Sequence, residues 1–511
     1  MRVLLATEDS YPYHQDDAAA WCDALTRGLG DIDFTVLSVI RHPYVMPQHR
    51  LPRNVRGVIT VPLSGMQDPA EYGHHLSLPD HLRRRWSLTD DDIEHDYLPA
   101  YEQFLRGIAD PSHPRRALGV LLLQLHLHLR YFDYELTQVH PLVRARFAAV
   151  MRDEWHRAYP LEGPPSRGEL AEAWRWSYRL LLPLAVSVNG VDVAHASNPA
   201  FCGIPCVMAK LLHHTPYLVS EQTAYLREQY LTIATLGVSP FVAWFLTRLT
   251  TAVVAVNYEF ADQVSPVCQD QVRWERWLGV EAARIRPIHN GADPDVFHPG
   301  IRDEHAPPTV VAVGALTPMK AQLDLIEAAA LVRRAVPDVR VRIVAPGESD
   351  YARKCRELVH ALGLQHTVTV EPATGNVASV LRDAHVFALP SVSDACPVPL
   401  LQAMLSGTGI VATNVGGVAE AVADTALLVP PRDPAAMAEA IVTLLQSPDS
   451  RRSLGQYART RAEHLFTEAR ALEAYRLTYE KLSVRGLDEW RTASVESTNV
   501  SAAPPMAPSA A

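Results

Sequence analysis

Over the first sixty residues, short apolar runs alternate with one segment whose apolar residues recur at helical spacing. The runs predict strands, because parallel strands that are covered on both faces are apolar throughout, and the segment predicts a helix. The predicted elements are strands at Val3 to Ala6, Phe34 to Ile40 and Gly57 to Val61, and a helix at Ala18 to Arg27. This order is typical of a doubly wound α/β sheet.

The alternation stops between about Asp68 and Leu182, where the pattern is helical and rich in aromatic and charged residues. We therefore predict a helical insertion in the first domain. Within it, Thr89 followed by three aspartates is typical of an N-cap and an acidic first turn. A metal-binding acidic motif is the alternative interpretation of that triple, and the helix start is favoured.

Strand-helix alternation then returns and continues through the second half of the chain. The predicted strands are Val191 to Ala194, Tyr217 to Ser220, Ala252 to Val256, Val310 to Val313, Val339 to Val344, Val368 to Glu371, Val386 to Leu389, Gly409 to Thr413 and Leu427 to Val429. Helices are predicted at Leu323 to Val336 and Pro434 to Gln446. The organisation that follows is a first domain at 1–285, a second doubly wound domain at 286–470, a C-terminal helix at 471–493 and a disordered tail at 494–511.

Composition narrows the class of protein. The 511 residues are 48% hydrophobic and 20% charged, which is typical of globular domains. The net charge of −10 gives no reason to expect a nucleic-acid partner. Six scattered cysteines without a C-x-x-C pair predict buried thiols and no metal site. We identify neither a signal peptide nor a transmembrane helix, so the predicted location is the cytoplasm, with peripheral attachment to the inner face of the membrane as an alternative.

Ligand sites in doubly wound sheets lie at the carboxyl ends of the strands. Neither the first strand nor Val310 to Val313 is followed by G-x-G-x-x-G, which argues against a dehydrogenase. Three loops of the second half are better candidates. They are Pro287 to Asp293, with the turn dipeptide Asn290-Gly291; Gly314 to Lys320, which places one of the chain's four lysines near a helix start; and Ser391 to Pro397, which precedes a helix at Val398 to Leu405. A cation beside free helix amides suits a diphosphate.

In this order and spacing the loops resemble the donor domain of the family 4 retaining glycosyltransferases, which have the GT-B fold. The N-terminal half resembles the Pel-type exopolysaccharide glycosyltransferase branch with its DUF3492-like region. The resemblance covers roughly Met1 to Ser483. It is carried by Thr7 to Tyr13 with Trp21, Ser220 to Glu228, Asn290 to Asp293 with Phe297, Lys320, Leu400 to Met404 with Gly407, and Ala412 to Gly417 with Glu420.

The resemblance implies GT-B architecture, two Rossmann-like domains with an active cleft between them. It also implies transfer of a sugar, with retention, from a nucleoside diphosphate sugar to the hydroxyl of a saccharide or other acceptor, without a metal or a further cofactor. Lys320, Asp394 and Glu221 are the predicted catalytic residues. The predicted donor-binding residues are Asn290, Gly291, Gly314, Lys320, Pro397, Leu400, Gln402, Gly416 and Gly417. A paralogous glycosyltransferase or a membrane export complex is a further expected partner.

Several positions depart from the family's pattern, and they fall on the donor site. Asp16 and Asp17 stand where a Gly-Gly pair is expected, and two carboxylates near a diphosphate would repel it. Gln222 replaces a histidine and Ala315 an arginine. The expected pair of glutamates is Asp394 and Gln402.

Two hypotheses follow. The chain is an active, divergent glycosyltransferase, or it is a catalytically impaired GT-B scaffold that binds an active partner. Lys320, Asn290-Gly291 and Gly416-Gly417 favour the enzyme.

Overall fold

Six parallel strands form the first of two sheets in the computed structural model, which describes residues 1–64, 78–300, 306–345, 347, 349–372 and 376–500. The strands are β1 (Arg2–Glu8), β2 (Asp33–Ile40), β3 (Val55–Pro62), β4 (Val193–Ala196), β5 (Tyr217–Glu221) and β6 (Gln263–Pro266), in the spatial order β3-β2-β1-β4-β5-β6. Val3 on β1 pairs with Phe34 on β2 and with Val193 on β4. The order reverses between β1 and β4, which makes that point the topological switch of the sheet.

Both faces of this sheet are covered. Leu4 and Ala6 of β1 belong to one apolar cluster, whereas Val3 and Leu5 belong to another, because successive side chains of a strand point to opposite faces. The helices of the domain are α1 (Asp17–Gly28), α2 (Leu78–Ser87), α3 (Leu98–Ala109), α4 (Arg115–Leu129), α5 (Tyr134–Val139), α6 (Pro141–Ala158), α7 (Arg167–Leu180), α8 (Ile204–His213), α9 (Tyr225–Thr235), α10 (Pro240–Phe260) and α11 (Gln269–Trp277).

The insertion consists of α2 to α7, and α3 to α7 contribute buried side chains to the same apolar cluster as Leu4. Residues 65–77, which include the predicted start of the insertion, lie outside the described part of the chain. The predicted helix start at Thr89 is confirmed, because the helix begins at Asp90, the Asp92 amide donates to the Thr89 hydroxyl oxygen at 3.3 Å, and the Thr89 amide donates to the Asp92 carboxylate at 2.8 Å. A π-helical turn, Asp92–Tyr97, leads from there into α3. Among the described residues, no group of three His, Cys, Asp or Glu side chains could hold a metal ion.

The predicted strand at Ala252 to Val256 is wrong. These residues lie inside α10, a helix of 21 residues whose first turn is capped by the Ser239 side chain. A continuous apolar run of alanine and valine fits a buried helix as well as a buried strand. The sixth strand is instead β6, whose four residues are two polar and two apolar and form no apolar run.

Of the helices in the described ranges, α10 is the one long and apolar enough to cross a membrane, and 72% of its most apolar window is buried inside the protein. The six cysteines are free and buried, as predicted.

The second sheet repeats the topology of the first. Its strands are β7 (Thr309–Val313), β8 (Arg340–Ala345), β9 (Val368–Pro372), β10 (Val386–Leu389), β11 (Gly409–Thr413) and β12 (Leu427–Val429), in the order β12-β11-β10-β7-β8-β9. Its helices are α12 (Gln322–Ala335), α13 (Asp350–Ala361), α14 (Val377–Asp383), α15 (Val398–Leu405), α16 (Val418–Val422), α17 (Pro434–Gln446) and α18 (Pro448–Leu465). All six predicted strands are confirmed, and the predicted domain boundary at 285/286 falls between β6 and β7.

The last helix, α19 (Glu468–Val500), returns to the first domain. Tyr475 and Tyr479 pack against the first sheet, and the Tyr479 hydroxyl lies 2.7 Å from His195 Nδ1 on β4. Arg476 forms an ion pair with Asp31 at 2.6 Å. The helix is longer than the predicted 471–493 and takes in residues predicted as the start of a disordered tail, since Ser, Thr and Asn in 494–500 lower helix propensity without ending a helix. Residues 501–511 are not described.

Candidate active site

The switch points of the two sheets face one another across a cleft. In the second sheet the order reverses between β7 and β10, so the loops after these strands flank the switch point. Lys320 lies in the loop after β7 and Asp394 in the loop after β10. The Val392 amide donates to the Met319 carbonyl at 2.8 Å and ties the two loops together. The fold therefore brings together two of the three predicted catalytic residues.

Lys320 lies in the turn just before α12 and is held by two carboxylates. Its Nζ is 2.7 Å from Asp394 Oδ2 and 3.6 Å from Asp17 Oδ2, which comes from the opposite domain. Burial by itself would lower the pKa of Lys320, but the charges of Asp394 and Asp17 outweigh it and the pKa is raised. The lysine is therefore a permanent cation in the cleft.

The loop that carries Asp394 is fixed by its neighbours. Ser391 Oγ donates to Asp394 Oδ2 at 3.0 Å. Gly416 lies so close that a Cβ there would be 1.8 Å from the Asp394 carbonyl oxygen, and one at Gly417 would be 2.1 Å from the Ala395 carbonyl oxygen. The Gly416-Gly417 pair thus lets two backbones meet, and the Gly417 amide donates to the Asp394 carbonyl at 3.3 Å.

The predicted Asn290-Gly291 loop has a different role from the one expected. No strand precedes it, since Ile285 forms a single bridge with Val264. Gly291 packs against the start of α19, because a Cβ there would be 2.3 Å from the backbone of Thr467, and the neighbouring Ala292 amide donates to the Phe466 carbonyl at 3.0 Å. Asn290 is buried and its Nδ2 donates to the Cys396 carbonyl at 3.1 Å. This loop supports the Asp394 loop and the start of α19 from behind.

The remaining predicted donor-binding residues are divided between the cleft and the core. Gly314 has φ +146° and open space where a Cβ would lie, so it fits a backbone close to a ligand. Pro397 is the N-cap of α15 and has no amide hydrogen. Leu400 is fully buried, and its amide donates to the Pro397 carbonyl at 3.0 Å. The start of α15 is therefore a weaker anion site than predicted, and Gln402 does not line the cavity described below.

Glu221 is not in the cleft. It ends β5 inside the core, where its carboxylate accepts from the Tyr258 hydroxyl at 2.5 Å and the Tyr225 amide at 3.1 Å. The fully buried Glu275 of α11 lies against it. Burial, with the second carboxyl close by, raises the pKa of Glu275, and burial raises that of Glu221. Two adjacent buried carboxyls retain a proton between them, so the predicted catalytic role of Glu221 is withdrawn.

A cavity of about 280 Å³ lies between the domains beside Asp394. Its lining includes residues that carried no predicted role: Arg227, Glu228, Gln271, Arg273, Trp274 and Ser393. The Arg227 guanidinium donates to Ser393 Oγ across the cleft. Gln271 is buried, and its Nε2 has no hydrogen-bond partner among the described residues, which suits a polar ligand. Arg227 and Glu228 belong to the Ser220 to Glu228 stretch and Ser393 to the Ser391 to Pro397 loop, so the sequence carried a signal for these three residues.

The two unexpected aspartates differ. Asp16 caps α1, accepting from the Ala19 amide at 2.6 Å and from Ser10 Oγ at 2.8 Å, and burial raises its pKa. Asp17 is the carboxylate beside Lys320. The pair was expected beside a bound diphosphate, and of the two only Asp17 contacts Lys320.

Comparison with models of known protein families shows which family the chain belongs to. A model described as Domain of unknown function (DUF3492) matches residues 1–283, more than half of the chain. The chain belongs to the DUF3492 family. A model described as Glycosyl transferases group 1 matches residues 297–461, so this DUF3492 protein carries a group 1 glycosyltransferase domain on the side of Lys320 and Asp394.

Curated relatives of this DUF3492 protein are glycosyltransferases. It is 30% identical over 288 residues to a D-inositol 3-phosphate glycosyltransferase of Corynebacterium urealyticum, covering 48% of this chain and 66% of that protein. The corresponding enzyme of Mycobacteroides abscessus is 39% identical over 180 residues, which are 32% of this chain and 40% of that one. An alpha-maltose-1-phosphate synthase of Mycolicibacterium smegmatis is 27% identical, covering 59% of this chain and 84% of the synthase.

Solved structures confirm the fold. Sucrose-phosphate synthase of Thermosynechococcus elongatus superposes with a TM-score of 0.57 at 18% identity, covering 94% of the DUF3492 protein and 99% of the synthase. HepE of Anabaena in complex with UDP-glucose gives 0.56 at 14% identity, covering 94% and 100%. The predicted GT-B architecture, two parallel Rossmann-like domains, is therefore correct.

Proposed function

We propose that this chain is a retaining glycosyltransferase that transfers a sugar from a nucleoside diphosphate sugar to the hydroxyl of a saccharide or related acceptor. The observation that carries the proposal is the position of Lys320, a partly buried cation beside Asp394 at the switch point of the group 1 domain. The kinship with glycosyltransferases supports the same reading.

The proposed chemistry makes one demand on this site. The bond from the sugar's anomeric carbon to the diphosphate oxygen breaks, a bond to the acceptor oxygen forms, and the acceptor's proton leaves with the diphosphate or to solvent. Negative charge therefore grows on the diphosphate, and a fixed cation in a water-poor wall stabilises it. Lys320 supplies that cation, Gly314 leaves room for the phosphates, and Asp394 positions Lys320 from the donor side.

The opposite wall is proposed to bind the acceptor. Arg227 and Trp274 come from the DUF3492 region and line the cavity that Asp394 lines from the other side. An acceptor in polysaccharide or glycoconjugate synthesis would enter there. We propose that the reaction needs no metal and no further cofactor, and that it takes place in the cytoplasm or at the inner membrane face, where a paralogous glycosyltransferase or an export complex is a proposed partner.

The test is turnover with stereochemical analysis. Purified protein is incubated with UDP-, GDP- and ADP-sugars and simple saccharide acceptors, and the released nucleoside diphosphate and the anomeric configuration of the product are followed by NMR. We expect retention of configuration and a rate lowered about 10²–10³-fold by Lys320→Ala. The exposed Lys354 provides the matched control, because Lys354→Ala removes the same charge from a helix outside the cleft. An inverted product, or equal losses in both variants, would contradict the proposal.

A second candidate is a catalytically impaired scaffold that binds an active glycosyltransferase. The observation in its favour is that Asp17 and Asp394 already neutralise Lys320. A folded protein that releases no nucleoside diphosphate from any donor, yet associates with an active paralogue, would support this candidate.

A further inference from the structure

The two carboxylates that hold Lys320 are unequal. Asp394 belongs to the same domain, its side chain is only 9% exposed, and it contacts the lysine at 2.7 Å while also accepting from Ser391. Asp17 belongs to the opposite domain, its side chain is 57% exposed, and its closest oxygen is 3.6 Å from Nζ. The first distance is that of a charge-assisted hydrogen bond, whereas the second is an ion pair without one. Asp17 can therefore leave the lysine at far lower cost than Asp394.

The position of Asp17 follows from the first domain's own structure. It is the first residue of α1, where a carboxylate is favoured by the helix dipole. The preceding Asp16 anchors this helix start through Ala19 and Ser10. Asp17 is thus carried on a fixed element at the carboxyl edge of the first sheet and lies opposite the switch point of the second.

Other charges near the lysine do not duplicate this role. Burial raises the pKa of Glu228 on α9. The charge of Asp394 also raises it, whereas the charge of Lys320 lowers it. Its carboxylate is engaged by the Thr223 hydroxyl at 2.9 Å. Arg227 crosses the cleft to Ser393, so the two domains have a polar contact that does not involve Asp17. Releasing Asp17 therefore leaves Lys320 paired with Asp394 alone and does not separate the domains.

We propose that Asp17 is an internal counter-anion that pairs with Lys320 before the donor binds, is displaced by the donor's diphosphate, and so determines donor affinity. This rests on the function proposed above and adds a residue of the DUF3492 region to the donor site. A diphosphate carries more charge than one carboxylate and presents several oxygens, so it wins the exchange. A carboxylate that stayed beside it would weaken binding, because one such repulsion at about 4 Å in water is worth roughly fivefold in affinity.

The direct test follows Lys320 itself. The chain contains four lysines, so protein labelled with ¹³C at lysine Cε gives four side-chain signals, and the Lys320→Arg variant assigns the relevant one. Inorganic pyrophosphate is the probe, since it contains the diphosphate without a base or a sugar. Wild-type protein is compared with Asp17→Asn. The matched control is Asp449→Asn, which removes a carboxylate from the first turn of α18, where it pairs with Arg452 at 2.7 Å.

We expect Asp17→Asn to shift the Lys320 signal in the free protein and to tighten pyrophosphate binding about three- to tenfold, while Asp449→Asn changes neither. An unchanged Lys320 signal in Asp17→Asn, or equal pyrophosphate affinity in wild type and Asp17→Asn, would overturn the proposal. So would pyrophosphate that leaves the Lys320 signal unmoved in every protein.

Failure of the proposed function gives a different pattern. In that case Lys320 responds to Asp17→Asn and to pyrophosphate as expected, yet no nucleoside diphosphate sugar is turned over. The role of Asp17 as counter-anion would then be kept, and the protein would be a phosphate-binding scaffold without transferase activity.

Discussion

Each sheet places an acidic residue at its carboxyl edge, and the two residues have opposite surroundings. Asp394, in the loop after β10, lines the cleft and has the Lys320 ammonium at 2.7 Å. Glu221, the last residue of β5, is enclosed in the core with two tyrosines and a second buried carboxyl, Glu275. A carboxylate at the end of a strand is therefore not by itself positioned to act on a ligand. A carboxylate needs a cation and access to the cleft, and Asp394 has both.

The largest effect that tests this contrast between Asp394 and Glu221 is expected at Gly416, the glycine that packs against the Asp394 backbone. Gly416 has φ +50°, and a Cβ would overlap the Asp394 carbonyl oxygen, so Gly416→Ala should lose about 3–5 kcal/mol of unfolding free energy. Gly237→Ala is the matched control, because Gly237 has φ +66° with open space around it and should lose only about 1–2 kcal/mol. Urea denaturation measures both, and equal losses would mean that the close approach of the two loops is absent.

The second prediction separates the two carboxylates by activity. Asp394→Asn should lower donor turnover about 10²-fold, because it removes the carboxylate that positions Lys320. Glu221→Gln should leave kcat/KM within about twofold, since the amide can keep the Tyr225 and Tyr258 contacts outside the cleft. Steady-state kinetics on both variants provide the measurement. A large loss in Glu221→Gln, from a protein of unchanged stability, would return Glu221 to the active site.

A third prediction concerns pH. Burial raises the pKa of Glu221 and Glu275, so the folded protein holds more protons than the unfolded chain at pH values above the ordinary carboxyl pKa. The stabilising contribution of the pair is complete below about pH 4.5 and is lost as pH rises through the raised values, with a slope of about 1.4 kcal/mol per pH unit for one extra proton.

Denaturation of wild type and Glu275→Gln between about pH 5.5 and 8.5 measures that slope. The variant should flatten it, whereas Glu357→Gln, at an exposed acid of α13, should not. Parallel curves for all three proteins would show that the carboxyl pair does not hold its proton.

The sequence was sufficient for the architecture and for the two loops that carry Lys320 and Asp394, and it failed where contacts distant in sequence decide the structure. Strands of the second sheet were predictable because apolar runs, turns and helices alternate cleanly there. The apolar run of alanine and valine inside α10 was predicted as a strand, because a buried helix and a buried strand show the same apolar pattern. Lys320 was found through its place near a helix start, whereas the enclosure of Glu221 by Tyr258 and Glu275 depends on helices distant in sequence.

The same limit applies to the smaller features of the site. The Asn290-Gly291 dipeptide predicts a turn from the sequence. Its role in the structure depends instead on the contact of Gly291 with Thr467, which lies more than 170 positions away in the chain. Asp17 was expected to repel a diphosphate. Its pairing with Lys320 could not be predicted because the two residues come from different domains.

The measurement that tests the central claim most directly is calorimetric titration with UDP, GDP, ADP and their common sugar conjugates. The account predicts that one nucleotide binds with a dissociation constant of about 1–100 µM, that Lys320→Ala weakens this binding about 100-fold, and that Lys354→Ala leaves it unchanged. Absence of binding across the panel, from protein shown to be folded, would contradict the account and leave the cleft without a nucleotide-sugar site.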